Sequence, residues 1–206
     1  MDTRLRDTGR GTLDNVVLRD ASMVDAPFIA RVVLAGIDLL DMGEAMSEER
    51  RPIFNHLVDI CGMDDTLYSY RHTRIAKMDG MAVGALVAYD GAPYAEMSAR
   101  TFGLVQQTFG MDLSKNAMET GPGEFYLDSM AILPEYRGHG IGHALMRDRM
   151  EWAFRNGFKA VTLLVGKDKP RLQAYYESLG FVQMCEMFVF GAWYWKLCRV
   201  PLAREE

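Results

Sequence analysis

A glycine-rich turn between a predicted strand and a predicted helix carries the residue types best suited to chemistry in this sequence. The stretch LPEYRGHGIGHALM, residues 133–146, contains three glycines, an arginine and two histidines. Such a turn lets several unpaired backbone N–H groups converge on an anion, and the positive end of the helix dipole adds to their attraction. The turn therefore predicts a phosphate-binding site.

The spacing within this turn disfavours two common phosphate-binding motifs. A Walker A loop needs Gly-Lys-Ser/Thr after its glycines, whereas this turn offers Ile141-Gly142-His143. The dinucleotide fingerprint needs a glycine or alanine three positions past Gly140, and that position is His143. Neither nucleoside triphosphate chemistry nor a Rossmann-type site fits this spacing.

The chain before the turn predicts a strand, two helices and a hairpin. The first strand lies in NVVLRDAS, residues 15–22, and Asp25 opens a helix whose apolar residues fall on one face. Ser47 is the predicted cap of a second helix. Two β-prone runs then flank Asp79-Gly80, a dipeptide that tight hairpin turns favour.

The chain from residue 124 onward predicts alternating strands and helices. A strand in EFYLDSMAIL (124–133) leads into the turn, and a helix follows over 140–156. The run KAVTLLV (159–165) predicts a buried strand, and DKPRLQAYYESLGF (168–181) contains apolar residues at helical spacing. The last residues predict two strands around Gly191.

The organisation of the chain favours one domain. With 206 residues and 49% hydrophobic content, the chain is long enough for one sizeable core and short for two. We expect a flexible segment over 1–14 and a single domain over 15–206. Residues 91–123 lack the composition of a linker and predict an insertion with one helix around 95–110.

Composition and charge exclude several classes of partner. The formal charge of -5 and the scattered Lys and Arg residues give no electrostatic footprint for nucleic acid. No apolar stretch reaches the length of a membrane span, and the N-terminal residues lack the apolar core of a signal peptide. Cys61, Cys185 and Cys198 lie outside any metal-ligand spacing. We expect a cytoplasmic, soluble protein that binds no nucleic acid, membrane or metal.

Two motifs together resemble the GNAT superfamily of acyl-CoA-dependent N-acyltransferases. The first is Arg137-x-x-Gly140-x-Gly142 preceded by MAILPEY, and the second is YYESLGF (175–181). The resemblance covers the strand, turn and helix over 125–156 and the elements that follow. It implies an α/β (α+β) fold with a mixed, mostly antiparallel sheet of about six or seven strands, about four flanking helices and, here, a helical insertion before the central strand.

The resemblance also implies an acetyl-CoA site. Backbone N–H groups of the turn would hold the pyrophosphate of coenzyme A. Those residues are Arg137, Gly138, His139, Gly140, Ile141, Gly142 and His143. Backbone groups of the preceding strand at Met130 and Ile132 would pair with the pantetheine arm and polarise the acyl carbonyl. The family's usual general acid is the tyrosine four residues before the glycine of the second motif, here Tyr176.

The acceptor amine must lose a proton before it can attack an acyl carbon. Asp128 is the first candidate base because it lies two positions before Met130, on the same side of a regular strand. Glu124 is the second candidate, and a water relay is the third. Asp128 also fits a plain cross-strand hydrogen bond, and Tyr176 fits a core position on its helix.

The expected function is direct transfer of an acetyl group from acetyl-CoA to a primary amine, on a small-molecule acceptor. Two alternatives remain open, namely acetylation of a protein N-terminus or lysine, and a non-catalytic acyl-CoA-binding module. An acidic group between the first two helices is either a solvated face or a wall for a cationic acceptor, and it comprises Asp38, Asp41, Glu44, Glu48 and Glu49. The sequence leaves open the acceptor, the acyl chain length, the role of the insertion, and whether the protein is a monomer or a homodimer.

Overall fold

The computed structural model describes residues 15–201 as one twisted sheet with helices on both faces. The strands are β1 (Val16–Asp20), β2 (Thr73–Met78), β3 (Met81–Asp90), β4 (Glu124–Ile132), β5 (Ala160–Gly166), β6 (Val182–Val189) and β7 (Ala192–Arg199). The α-helices are α1 (Ala26–Gly36), α2 (Arg51–Cys61), α3 (Tyr94–Phe109), α4 (Ile141–Arg155) and α5 (Pro170–Ser178). The segment 1–14, predicted to be flexible, lies outside the described residues.

The sheet is mixed and mostly antiparallel, as predicted. Its seven strands lie in the order β1-β2-β3-β4-β5-β7-β6. Only the central pair, β4 with β5, runs parallel, and every other neighbouring pair is antiparallel. The parallel pair needs a crossover connection, which α4 supplies.

Local sequence signals account for most element boundaries. The turn between β2 and β3 has positive φ at both central residues, 50° at Asp79 and 83° at Gly80, as the predicted hairpin requires. The second helix begins at Arg51 rather than directly after Ser47, because Pro52 lies in its first turn, where its missing N–H costs no hydrogen bond. The Ser47 hydroxyl still accepts a hydrogen bond of 3.3 Å from the backbone N–H of Arg50.

Two apolar cores lie on opposite faces of the sheet. On one face, α1 and α2 bury residues such as Ile29 and Ile60 against the central strands. On the other face, α4 buries residues such as Leu145 against β4 and β5. Strand β3 is buried on both faces between Val83 and Tyr89, which explains its continuous apolar sequence.

The insertion packs onto the face formed by α1 and α2. Its helix α3 contacts α2 and buries Tyr94, Met97 and Phe102 in the same core. The helix ends at Gly110, which has a φ of 71°, and the chain then returns to β4 without further helix or strand. The predicted insertion helix is therefore confirmed, within one residue at each end.

Candidate active site

The central strands β4 and β5 separate after a short paired stretch. Only three residues of β4, Glu124, Phe125 and Tyr126, pair with β5. Beyond them, β5 continues its pairing with β7, while β4 continues with β3 as far as Ile132. The edge of β4 over 127–132 therefore has no strand partner on its β5 side. Apart from the Ile132 carbonyl, which accepts a hydrogen bond from Arg137, its backbone groups there are available to another molecule.

A β-bulge lies where the two strands separate. On β3, Ala88 pairs with Leu127 and Val87 pairs with Ser129, so Asp128 is an extra residue without a partner in this register. The bulge shifts the alternation of side chains along β4. Ser129 contacts Gly36 of α1, whereas Met130 packs against the core on the α4 face.

The bulge corrects one expectation from the sequence. Asp128 and Met130 were expected on the same side of a regular strand, but the extra residue places them on opposite faces. The Asp128 carboxylate is bonded to Tyr89, which belongs to the α1 and α2 core. The side chains of Met130 and Ile132 instead pack towards α4. The regular period of two fails here because a bulge adds one residue to the strand.

The glycine-rich turn presents uncapped backbone N–H groups after β4. Gly138 and Gly140 have φ values of 79° and 76°, a region that residues with a Cβ rarely adopt. Helix α4 begins at Ile141, and no side chain within residues 15–201 caps its N-terminus. A Cβ added to Gly142 would lie 3.5 Å from Met130 Cε. The turn thus has the geometry of an anion site directly beside the free edge of β4.

The Arg137 side chain ties this turn to the loop between α1 and α2. Its Nε donates to the carbonyl of Ile132 at 3.1 Å, and its Nη2 donates to both carboxylate oxygens of Asp41 at 3.1 and 3.2 Å. Asp38 in the same loop forms an ion pair with Lys169 at the start of α5. Of the acidic group noted in the sequence, these two residues face the site and already have cationic partners.

The two histidines of the turn occupy different environments. His139 Nδ1 is buried and has no hydrogen-bond partner among residues 15–201. His143 is exposed on α4 and lines a cleft of about 480 Å³ towards the end of α5, together with Arg147 and Arg199. Within residues 15–201, neither histidine side chain forms a hydrogen bond to Asp128 or Tyr176.

Two adjacent tyrosines of α5 pack against the α4 core. The Tyr176 ring contacts Phe181 at a centroid distance of 6.1 Å and Tyr175 at 5.5 Å. Burial, and then the neighbouring Tyr175, raise the pKa of Tyr176 to about 12. Tyr175 Oη would lie 3.9 Å from a Cβ on Gly142, so this second phenol reaches the first turn of α4. The doubled tyrosine of the motif was the signal in the sequence for this second phenol, Tyr175, which was given no role there.

The Asp128 carboxylate is partly buried and accepts two short hydrogen bonds. Tyr89 Oη donates to Oδ2 and Ser129 Oγ donates to Oδ1, both at 2.6 Å. Burial raises the pKa of this carboxyl, and the hydrogen bonds from Ser129 and Tyr89 oppose the rise. A carboxylate with a raised pKa has the proton affinity that a general base needs.

The Glu124 carboxylate has the opposite environment. It accepts hydrogen bonds from Lys196 at 3.0 and 2.7 Å, from Thr120 at 2.9 Å and from Thr162 at 2.9 Å. Burial alone would raise the pKa of Glu124, but donation from Lys196 and the two threonines lowers it. Glu124 also lies in the paired part of β4, opposite Ala160. Its charge is balanced by a buried lysine.

A second buried carboxylate, Glu119, was not found from the sequence. It lies in the insertion, just before β4, and accepts hydrogen bonds from Tyr94 at 2.9 Å and Tyr126 at 2.6 Å. The ring of Tyr89 packs against those of Tyr94 and Tyr126, at centroid distances of 6.4 and 5.7 Å. The irregular segment 110–123 offers no periodicity, so nothing in the sequence predicted that its glutamate is buried.

Two features are absent from residues 15–201. None of the helices in that range combines the length and apolar character needed to cross a membrane. The same residues contain no cluster of three or more His, Cys, Asp or Glu side chains arranged to hold a metal ion.

The sheet thus opens between its parallel central strands, directly beside an uncapped glycine-rich turn. The profile of the acetyltransferase (GNAT) family matches residues 43–181, and the chain belongs to this family. The predicted family, the mixed α/β fold and the acyltransferase class of enzyme are thereby confirmed.

Individual relatives agree with this membership. An uncharacterized N-acetyltransferase of Archaeoglobus fulgidus is 29% identical over 104 residues, which is 50% of this chain and 55% of that protein. The chain thus aligns with about half the length of this curated relative. Among solved structures, an acetyltransferase with 26% identity matches with a TM-score of 0.69, over 89% of this chain and 98% of its own. An N-acetyltransferase from Staphylococcus aureus Mu50 shares the fold, with a TM-score of 0.72, 19% identity, and 89% and 100% coverage.

Proposed function

We propose that this protein transfers an acetyl group from acetyl-CoA to a primary amine on a small molecule, without a covalent enzyme intermediate. The observation that carries the proposal is the bulge at Asp128, which lies where β4 separates from β5. At this place in the fold, a carboxylate of raised pKa, a free strand edge and the uncapped glycine-rich turn occur together.

The donor substrate, acetyl-CoA, fits the free edge and the turn. Backbone N–H groups over 137–143 hold its pyrophosphate, and the glycines let the phosphate oxygens approach closely. The unpaired edge of β4 near Met130 and Ile132 accommodates the pantetheine arm as an added strand would. A backbone N–H there stabilises the negative charge that develops on the acyl oxygen.

The chemical step needs one base and one acid. Asp128 removes a proton from the ammonium form of the acceptor, directly or through water, and the amine nitrogen then forms a bond to the acyl carbon. The carbon–sulfur bond breaks, and Tyr176 gives its proton to the departing thiolate. The nitrogen loses its second proton to solvent as the amide forms, and Tyr176 is reprotonated from solvent. A phenol whose pKa is about 12 stays protonated at neutral pH and is available for this step.

The proposed base and the proposed acid lie on opposite faces of the sheet. Asp128 faces the α1 and α2 side, whereas Tyr176 packs against the α4 side. We infer that the amine approaches past α1 and the insertion, and that the donor lies along the α4 side. Glu124 suits the role of base less well, because its ion pair with Lys196 lowers its pKa.

Free-thiol release from acetyl-CoA, measured against a panel of amines, polyamines, amino acids and short peptides, tests the proposal. We expect amine-dependent release that Asp128→Asn reduces by about 10²-fold or more. Asp65→Asn, on the surface beside Arg100, is the matched control and should retain release. Release with peptides alone would favour a protein acceptor, and tight acetyl-CoA binding without release would favour a binding module.

A further inference from the structure

The cleft between α4 and the end of α5 lies outside the residues assigned to the chemical step. Its volume of about 480 Å³ is within the range of small-molecule sites. Side chains of α4, the end of α5 and the end of β7 line it, among them His143, Arg147, Met150, Phe154, Leu179 and Arg199. The cleft therefore combines apolar and cationic groups from three separate elements.

The floor of the cleft is apolar. Met150 and Leu179 are buried there, and the half-buried Phe154 packs against the same core on the α4 face. Aromatic rings and thioethers make favourable contacts with flat heteroaromatic rings. This floor suits the face of a nucleobase.

The rim of the cleft carries more positive than negative charge. Arg147 pairs with Glu151, but its Nε lies 3.9 Å from Glu151 Oε1, too far for a hydrogen bond. Arg199 Nη1 lies 3.4 Å from Met150 Sδ, and a thioether is only a weak acceptor. Among residues 15–201, no carboxylate forms an ion pair with Arg199. Two guanidinium groups thus share one carboxylate, and an anion in the cleft would balance the second.

The cleft is continuous with the glycine-rich turn. His143 lies in the first turn of α4 and also lines the cleft. Arg147 follows it by four residues on the same face of the helix, about 6 Å further along the axis. In coenzyme A, a single ribose joins the diphosphate to both the adenine and the 3′-phosphate. A diphosphate bound at 137–143 would therefore place these two groups beside the cleft.

We propose that this cleft binds the 3′-phosphoadenosine end of coenzyme A, with Arg147 and Arg199 contacting the 3′-phosphate and the apolar floor contacting the adenine. The inference rests on the proposed use of acetyl-CoA as donor. It makes the two arginines specificity residues that distinguish coenzyme A from thiols that lack the 3′-phosphate.

Calorimetric Kd values for coenzyme A and for 3′-dephospho-coenzyme A test the role of the arginines. The wild type should prefer coenzyme A by about tenfold or more, because charge-assisted hydrogen bonds to a phosphate are strong. Arg147→Gln and Arg199→Gln should each reduce this preference several-fold, while the Kd for the dephospho form stays within about twofold. An arginine with a purely structural role would weaken the binding of both ligands equally.

Arg155→Gln is the matched control on the same helix. Arg155 donates to the Glu151 carbonyl and does not line the cleft. Its substitution should change neither Kd.

The contact with the adenine needs a different pair of ligands. Phe154→Leu should weaken the binding of 3′-dephospho-coenzyme A several-fold, while the Kd for 4′-phosphopantetheine, which lacks the adenosine, stays within about twofold. Equal changes for the two ligands overturn the assignment of the floor.

Two results overturn the role of the arginines and leave the proposed function standing. They are equal Kd values of the wild type for coenzyme A and its dephospho form, or an unchanged preference in both arginine variants. If the arginine-dependent preference is present but no amine gives turnover, the proposed function fails and this inference stands. A wild type that binds neither ligand contradicts both.

Discussion

Tyr89 donates a 2.6 Å hydrogen bond to Asp128 at the β-bulge of the central strand. The tyrosine is 2% exposed, so its hydroxyl cannot turn to water instead. The bond holds the carboxylate on the face of the sheet opposite Met130 and opposes the rise in its pKa that burial causes. Substitution of Tyr89 therefore changes the environment of Asp128, the proposed base, without replacing Asp128 itself.

Tyr89→Phe should reduce kcat/KM on the acid side of the pH profile. Loss of the hydroxyl removes a hydrogen bond that favours the ionised carboxylate, so the pKa of Asp128 rises further. The acid limb of kcat/KM should therefore move to higher pH. Stability should fall by about 1 kcal/mol, as for loss of one buried hydrogen bond.

The comparison variant for that experiment is Tyr70→Phe. Tyr70 is partly buried beside Arg71 and Asp64, and within residues 15–201 its hydroxyl makes no hydrogen bond to Asp128. Its substitution should leave the limb unmoved. A shift to lower pH in Tyr89→Phe would contradict the assigned geometry of the base.

Tyr176→Phe should separate catalysis from binding. Without a proton donor for the thiolate, kcat should fall by about 10²- to 10⁴-fold, while the Kd for acetyl-CoA, measured by calorimetry, stays within a few-fold. Tyr175→Phe is the matched control on the adjacent residue and should keep most turnover. If Tyr175→Phe loses turnover and Tyr176→Phe does not, the acid is Tyr175, whose hydroxyl reaches the first turn of α4.

Gly138→Ala should weaken acetyl-CoA binding through the backbone. A Cβ at this position has open space around it, but the φ of 79° is unfavourable for alanine by about 1–2 kcal/mol. The turn should therefore distort, and the KM for acetyl-CoA should rise. Gly103→Ala in α3 also has open space but lies within a helix, where alanine should stabilise the protein by about 0.5–1 kcal/mol. Equal effects of the two substitutions on KM would rule out this explanation.

Asp25 should make stability depend on acid pH. The guanidinium of Arg19 donates two hydrogen bonds to it, at 2.8 and 2.7 Å. Arg19, together with Ser22, lowers the pKa of Asp25 to about 2 against the effect of burial. Its contribution to stability is present above the pKa of the unfolded chain, about 3.9, and is lost as pH falls through about 2.

Chemical denaturation of Asp25→Asn measures this contribution. At pH 7 the variant should lose about 1–2 kcal/mol, a value reduced by the partial exposure of Arg19. The difference from the wild type should shrink as pH approaches 2. A difference that stays constant over that range would show that the carboxylate charge is unimportant.

Periodicity and turn residues predicted most of the fold, because those signals are local. The hairpin at Asp79-Gly80 and the helix after the glycine turn follow from residues within a few positions of each element. The start of α2 moved because proline occupies its first turn, which is again a local effect.

The sequence could not predict the surroundings of Asp128 and Glu119, because long-range packing creates them. The bulge at Asp128 depends on the register between β3 and β4. No residue within either strand predicts this register. Glu119 becomes a buried neighbour of the site only when α3 and β4 bring Tyr94 and Tyr126 together. Motif spacing predicted roles for the turn and Tyr176, and those roles stay predictions. The hydrogen bonds around Asp128 became visible only in the three-dimensional structure.

The most direct test of acetyl transfer follows the acetyl group itself. The protein is incubated with acetyl-CoA labelled with ¹³C in the acetyl group and with each amine that stimulates thiol release, and the amine is then analysed by mass spectrometry. The account predicts a labelled amide in amounts equal to the thiol released, with little product in Asp128→Asn. Thiol release with labelled acetate and no labelled amide would contradict it, because water rather than the amine would then be the acceptor.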